Sequence, residues 1–581
     1  MYSYNLCYNN SNNIERSDSM KFQDFTYERP NLEEAKAAIF EQIDIIKKDE
    51  NVDAVKAAVE AIQKVKRDIN TNQELAMIRN SIDTNDEFYE KEMEFWNEQG
   101  PVINEWITEY YRATLDSQFL KDIEDIFPQT LVKMAQNSLK TFSPEIIPLL
   151  QQENKLTTKY SKLVASAEIP YKDKVYNIPG LGYFAQSEDR QERKTVHELI
   201  GKFFSEHQDE FDQIYDDMVK VRHEMATKLG FKDFVEMGYA RMNRLDYSRQ
   251  DVEVYRKEVL EHIVPISQDY FNRQQERLGL DEMKYYDLTI EFPDGNPDPV
   301  GTPDDIVDAA VKMYHEMSPE TGEFIDFMVE GDLLDLVTKP GKQQGGYCTY
   351  IPNFKAPFIF SNFNGTRGDV DVLTHEAGHA FQVFNSRWIM SPEIVYPTYE
   401  SCEIHSMSME FFAWPWMENF FQDQTEKYKY SHLGGCVTFL PYGVLVDHYQ
   451  HEVYEHPEMT PEERRQTWRK LEQQYLPWKD YDGNEFFENG GFWFKQLHIF
   501  NMPFYYIDYT LAQMCALQFW QRNHVQEDPM AWEDYMNLCK VGGTKSFLEL
   551  VELGHLRSPF EPGSLKSVAD DANAYLLAHS K

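Results

Sequence analysis

Positive charge is what this chain has least of: 57 Lys and Arg stand against 98 Asp and Glu, a formal net charge of -41. Such a surface repels nucleic-acid phosphates and anionic membrane faces, so neither is expected as a partner. We read the acidity as a solvated surface rather than as an acidic substrate channel. Paired cysteines are also missing. The six that occur (Cys7, Cys348, Cys402, Cys436, Cys515 and Cys539) include no Cys-x-x-Cys, which argues against a disulfide framework and a thiolate metal site and points to the reducing cytoplasm. No apolar run reaches the length of a membrane span, and residues 1–19, rich in Asn, Ser and Tyr, lack the apolar core of a leader. Regular patterning starts at Met20, so residues 1–19 are expected to be a disordered tag or upstream extension. Internal repeats and low-complexity tracts are lacking as well.

What is present is core material. Hydrophobic residues make up 42% of 581 and aromatics 14%, which excludes disordered and collagen-like classes. From Asn31 to about Asn137 apolar residues recur three and four apart, as in Ala35, Ile39, Ile43 and Ile46, the stripe of an amphipathic helix. Turn residues between Ile169 and Gly182 break this pattern, and helical spacing resumes from about Arg190 to Leu278. We therefore expect a mainly α chain, with an N-terminal helical subdomain over 20–200 and a second region over 201–581. Strand-like runs are scarce; the best are Tyr347 to Ile351 and Phe358 to Phe363.

Those runs lead into His375-Glu376-Ala377-Gly378-His379. Histidines four apart share one face of a helix, so both imidazoles can reach one ion. Glu376, beside the first, can approach a metal-bound water and serve as general base. Asp369 and Asp371 suit a helix start just upstream, and the small Ala377 and Gly378 let a second element pack close. A chance match of this pattern is expected in roughly 4% of chains of such composition, so it needs support. His197-Glu198 lacks the second histidine, and His451 and His456 are five apart and off one face, so neither repeats the site. A catalytic zinc takes three protein ligands and leaves a position for water. The third ligand is sought on a helix with Pro397 in its first turn, where Glu400, Glu403, His405 and Glu410 compete. Glu403 and Glu410, seven apart, share a face, so one could ligate while the other braces a ligand.

At this point the residues resemble the thimet oligopeptidase and oligoendopeptidase F group of zinc peptidases, over most of the chain from Met20. The likeness rests on Met20-Lys21-Phe22 with Tyr27-Glu28-Arg29-Pro30, on Gly238-Tyr239-Ala240-Arg241-Met242, on the His375 segment, on Glu403-Ile404-His405-Ser406-Met407-Ser408-Met409-Glu410, and on Pro441-Tyr442-Gly443 with Asp447-His448. It implies Glu403 as the third zinc ligand, one Zn2+ per chain, Glu376 as the base, and a large two-lobed helical ellipsoid enclosing a deep substrate channel, with a small sheet beside the metal helix. A His followed by a tyrosine-rich segment, His498 through Tyr509, is a further likeness. By it, His498 and Tyr509 donate to the oxyanion, while Tyr505 and Tyr506 fall among substrate contacts. Ile507 stands where the group often has another Tyr.

The resemblance implies a metallo-endopeptidase cutting short oligopeptides, in a cytoplasmic monomer or small homo-oligomer. Gly345, Gly346 and Tyr347 are expected to receive an extended peptide along the strand edge. Two rivals remain: a zinc carboxypeptidase trimming peptide ends, and a peptide-binding helical protein with a structural metal, against which stands the lack of a fourth Cys or His.

Overall fold

The stripe Ile39, Ile43 and Ile46 becomes the buried face of α1 (Leu32–Lys48), whose N-terminus is capped by the Asn31 side chain accepting from Glu34 N at 3.4 Å. In this computed structural model, which describes residues 20–580, α1 packs with α2 (Val52–Ile82) and α3 (Glu87–Leu115), and α3 in turn with α4 (Gln129–Thr141). The expectation for residues 1–19 lies outside the described residues. Ile43, Val59, Tyr110 and Leu131 from these four helices form a hydrophobic cluster of their own, which Val383 and Ile394 of the later chain join. The N-terminal helices thus rest directly against the end of the helix that carries the histidine pair.

The rest of the chain packs around a larger cluster, which also takes in Phe25 and, from α2, Leu75 and Ile78. About 70% of the molecule is helical, with two small sheets, so the mainly α expectation holds. The segment read as turns around Ile169 contains a short hairpin, β1 (Ile169–Tyr171) paired antiparallel with β2 (Lys174–Tyr176). The second sheet has the order β3-β5-β4. β4 (Tyr347–Ile351) and β5 (Ala356–Phe363) are the two expected strands, antiparallel with Cys348 opposite Ile359. β3 (Leu334–Val337), parallel to β5, was not expected from the sequence: it is four residues long and carries Asp335, too little for a period to register. β4 is an end strand of this sheet and runs beside the helix Gly368–Ser386.

No described helix is long and apolar enough to cross a membrane.

Candidate metal centre

The helix Gly368–Ser386 begins where its first-turn acids indicated. Asp369 accepts from Asn364 N at 2.9 Å and Gly365 N at 2.8 Å, closing the turn that feeds the helix. Asp371 accepts the Tyr428 hydroxyl at 2.7 Å. One face of this helix meets a second helix, Tyr399–Phe412, backbone against backbone. A Cβ at Gly378 would stand 2.6 Å from His405 O and Ser406 Cα, so glycine is required there. The second helix starts after Thr398, and Pro397 lies outside it rather than in its first turn.

This contact brings Glu403 to the histidine pair. Its Oε2 lies 3.2 Å from His375 Nε2 and 3.5 Å from His379 Nε2. The three donor atoms all fall within 4.8 Å of one another. Donors held about 2.0–2.1 Å from a tetrahedral ion stand about 3.3 Å apart, so the residues present fit zinc. Three buried or nearly buried carboxyls, Glu376, Glu403 and Glu410, also crowd the two imidazoles, a charge balance that favours a cation. Their proton affinities diverge. Burial would raise Glu403, but His379 and His375 outweigh it and hold its carboxyl down. Burial would raise Glu410 as well, and contacts to His375 and His432 hold it down. For Glu376 burial dominates and the pKa goes up. A carboxyl that is not locked to a cation and prefers its proton is the one equipped to take a proton and pass it on.

The histidines are aimed by a chain of hydrogen bonds. His375 Nδ1–H donates to Glu410 Oε1 at 2.7 Å, and His432 Nε2 stands 2.7 Å from Glu410 Oε2. Trp414 Nε1–H donates to His432 Nδ1 at 3.1 Å. An indole N–H can only donate, so His432 Nδ1 must accept and its proton sits on Nε2, directed at Glu410. Glu410 therefore accepts from both rings, which turns His375 Nε2 toward Glu403 and the ion position.

The sequence rivals for the third ligand turn elsewhere. Glu400 is buried 3.7 Å from Arg244 Nη1, and its pKa is raised, by burial first, with Arg244 opposing. His405 is buried with its Nδ1 2.9 Å from Ser401 O. The partial matches are packed histidines too: His197 Nδ1 lies 2.9 Å from Arg193 O, and His451 Nε2 lies 3.0 Å from the Tyr239 hydroxyl.

The tyrosine segment reaches the same place from another direction. A short helix, Leu497–Asn501, carries His498, and a longer one, Tyr506–Trp520, carries Tyr509. Between them Phe504 has φ 69°, a left-handed conformation that is costly for a bulky residue. Arg244 holds it: Nη2–H donates to Phe504 O at 2.7 Å and Nη1–H to Asp508 Oδ2 at 2.9 Å, while Phe504 N–H donates to Gln450 Oε1 at 3.0 Å. The Tyr505 hydroxyl donates to Glu403 Oε1 at 3.2 Å, and the Tyr505 and Tyr509 rings are 4.9 Å apart. His498 sits 5.9 Å from Tyr509, ring to ring, and 4.9 Å from Tyr506. Burial lowers the His498 pKa to about 4, so its ring is neutral at pH 7. Tyr442 donates to Gln496 Oε1 at 2.6 Å and Gln496 Nε2 stands 2.9 Å from His498 Nδ1, an orientation that leaves the His498 proton on Nε2.

On the opposite side, Gly345 and Gly346 are exposed beside Glu376: a Cβ at Gly346 would stand 3.1 Å from Val372 Cγ1 and 3.8 Å from Glu376 Oε1. Tyr347 offers only its backbone there, because its ring stacks on Phe360 at 4.9 Å.

Comparison with known proteins now decides the family. Residues 22–142 match the model of the Peptidase M3 N-terminal domain and residues 309–569 that of Peptidase family M3. A solved PZ peptidase A, in complex with an inhibitor, is 50% identical, with a TM-score of 0.91 over 97% of this chain and 100% of its own. The chain belongs to peptidase family M3.

A protein from Bacillus anthracis str. Ames described as an oligoendopeptidase F is 49% identical to this M3 peptidase, with a TM-score of 0.86 over 97% of this chain and 99% of its own. Another structure described as an oligoendopeptidase F is 48% identical, with a TM-score of 0.90 over 96% and 99%. The M3 peptidase thus falls in the oligoendopeptidase branch and is a metallo-endopeptidase. Comparison with curated proteins gave no match. Several parts of the M3 site went unread in the sequence. His432, Trp414, Gln496 and Arg244 lie at unremarkable positions on other elements, and only tertiary packing brings them to it.

Proposed function

We propose that the chain is a zinc-dependent oligopeptidase that hydrolyses internal bonds of short peptides, with His375, His379 and Glu403 holding one ion and Glu376 acting as general base. The observation that carries this reading is the spacing of the three donor atoms, 3.2 and 3.5 Å about Glu403 Oε2, with Glu376 on the adjoining turn of the same helix. When bound, zinc supplies Lewis acidity, lowering the pKa of a coordinated water to about 7 and polarising the scissile carbonyl. Glu376, its pKa raised by burial, takes the proton from the attacking water and returns it to the leaving amine. His498, neutral with its proton on Nε2, and Tyr509 donate hydrogen bonds to the developing oxyanion. Tyr505, through its bond to Glu403, steadies the ligand carboxylate, and Tyr506 lines the same side.

Substrate lies extended along Gly345, Gly346 and the backbone of Tyr347, where pairing with the end strand β4 reads extension rather than side-chain identity. We place the enzyme in the cytoplasm, on the unpaired cysteines, as a monomer or small homo-oligomer, since all three ligands come from one chain. Mass spectrometry of products from a mixed peptide set, alongside an intact folded protein, tests the reading. Internal cuts in short peptides, lost with chelator and restored by zinc, are expected; end-trimming alone, or chelator-resistant cleavage, would overturn it.

A further inference from the structure

The helix α2 runs along the whole of β4, in the opposite direction. Asn353 N–H, just past the end of the strand, donates to Thr71 Oγ1 at 2.9 Å, and Gln343 N–H, shortly before its start, donates to Ser81 O at 2.8 Å. Between these two ties the Thr349 hydroxyl donates to Glu74 Oε2 at 2.6 Å. Even and odd residues of a strand point to opposite faces. The Cβ position of Gly346 looks toward the metal helix, 3.8 Å from Glu376 Oε1, so Thr349 looks the other way, toward α2. The free edge of β4 therefore has Glu376 on one side and Glu74 on the other.

Glu74 is an acid without a cation. Burial raises its pKa to about 6, the Thr349 bond opposes, and no neighbouring positive charge assists. Only Oε2 is engaged; Oε1 takes no hydrogen bond from a described residue and stays open to solvent. A carboxylate sunk this far into a wall costs free energy unless a positive group meets it. Elsewhere on α2 the same problem is solved within the protein, where Lys66 pairs with Glu393. At Glu74 the partner has to come from outside.

The register of β4 says where such a partner would stand. In an antiparallel pairing, the residue opposite Thr349 lies about three positions, or about 10 Å, to the amino side of the one opposite Gly346. Residues directly opposite one another point to the same face, so its side chain is directed to the face that carries Glu74.

We propose that Glu74, oriented by Thr349, is a subsite for a cationic nitrogen on the amino side of the cut: the free α-ammonium of a short peptide, or a Lys or Arg side chain, about three residues before the scissile bond. The proposal rests on the peptidase reading above and deepens it by naming a substrate class, peptides with a positive charge at one fixed distance upstream of the bond. A strand edge reads extension alone, and one fixed charge beside it gives the bound peptide a register.

The test is kcat/KM on two peptide series, for the wild type and Glu74→Gln, each checked for zinc content. One series shares a single cut site and moves the amino terminus from two to six residues before it, every member made with a free amine and with an N-acetyl cap. The other is N-acetylated throughout and carries Lys or norleucine at each of those positions in turn. The wild type should favour the cation at one place by at least about tenfold, the scale of one charge-assisted hydrogen bond. A free-amine preference at one length identifies the terminus as the ligand, and a Lys preference at one position identifies a side chain. Glu74→Gln keeps an acceptor for Thr349 while removing the charge, and should bring that ratio to within about twofold of one. Should Glu74→Gln not fold, Thr349→Val, which removes the hydroxyl that orients the carboxylate, should lower the same ratio by about threefold or more. A wild type with no preference for positive charge at any length or position, or a preference that the folded variant leaves intact, would overturn the subsite while leaving the peptidase reading in place. A zinc-loaded wild type that cuts no peptide of either series would overturn the peptidase reading itself.

Discussion

The two halves of the site are built differently. The metal cradle sits on two helices packed backbone to backbone at Gly378, and its carboxylates are spoken for: Glu403 faces both histidines, and Glu410 bridges His375 and His432. The arm carrying His498, Tyr505 and Tyr509 is a broken helix, turned by Phe504 in a left-handed conformation and held from outside by Arg244 and Gln450. A cradle has to hold its geometry before the ion arrives, whereas donors to an oxyanion have to meet a group that exists only in the transition state. The difference teaches that one site can combine a rigid part set by local helix periodicity with an aimed part set by distant contacts.

Five substitutions break or sharpen this contrast. The largest effect belongs to the cradle: His379→Ala should drop zinc, by elemental analysis, to background and abolish hydrolysis, and Glu403→Ala should lose more metal than Glu400→Ala. Stoichiometric zinc in His379→Ala, or the reverse order for the two glutamates, would move the ligand set. In the arm, Tyr509→Phe should keep zinc and KM but lower kcat by about 10²- to 10³-fold, the cost of removing one oxyanion donor. Loss of metal in that variant would erase the distinction between the two halves. Behind the cradle, His432→Gln should weaken zinc about 10- to 100-fold in chelator competition by releasing Glu410, and unaltered affinity would show that the Trp414-His432 contact aims nothing.

The smallest effect on turnover should come from a charge cluster behind the arm, where Arg222 also donates to Phe500 O on the short helix that carries His498. Glu153 accepts from Arg222 Nε at 2.7 Å and from Arg241 Nη2 at 3.1 Å. Burial opposes its ionisation, but the two guanidiniums prevail and hold its pKa at about 2. A folded pKa below the unfolded value of about 4.3 contributes stability that is fully present above pH 4.3 and is lost as pH falls toward 2, about 3 kcal/mol in all. Glu153→Gln should therefore keep zinc and kcat near wild type at pH 7, reduce stability by about 3–5 kcal/mol in denaturant titration, and flatten the acid limb of the wild-type stability curve. An unchanged acid limb would reassign that charge elsewhere.

The same contrast decides what the sequence could reveal. His375, Glu376 and His379 were legible because their contact is local, four residues apart on one helix face. Glu403 and Glu400 were not separable by spacing: they differ by under one helical turn, and the packing at Gly378 selects which of them faces the ion. Glu410 was readable as a brace through its seven-residue spacing, but His432 and Trp414 were not, since nothing in a single sequence links positions on different helices. The bend at Phe504 was invisible for another reason. A bulky residue gives no signal of positive φ, and the Arg244 contacts that hold it come from some 260 positions away. In the fold, β4 and β5 showed through their aromatic and β-branched content, whereas β3 was too short to show.

The central claim is the division between residues that hold the metal and the one that moves the proton. Zinc content and turnover measured together on Glu376→Gln test it most directly. Stoichiometric zinc with kcat lowered by about 10²- to 10⁴-fold is the predicted result; near-normal turnover at full zinc occupancy would contradict it.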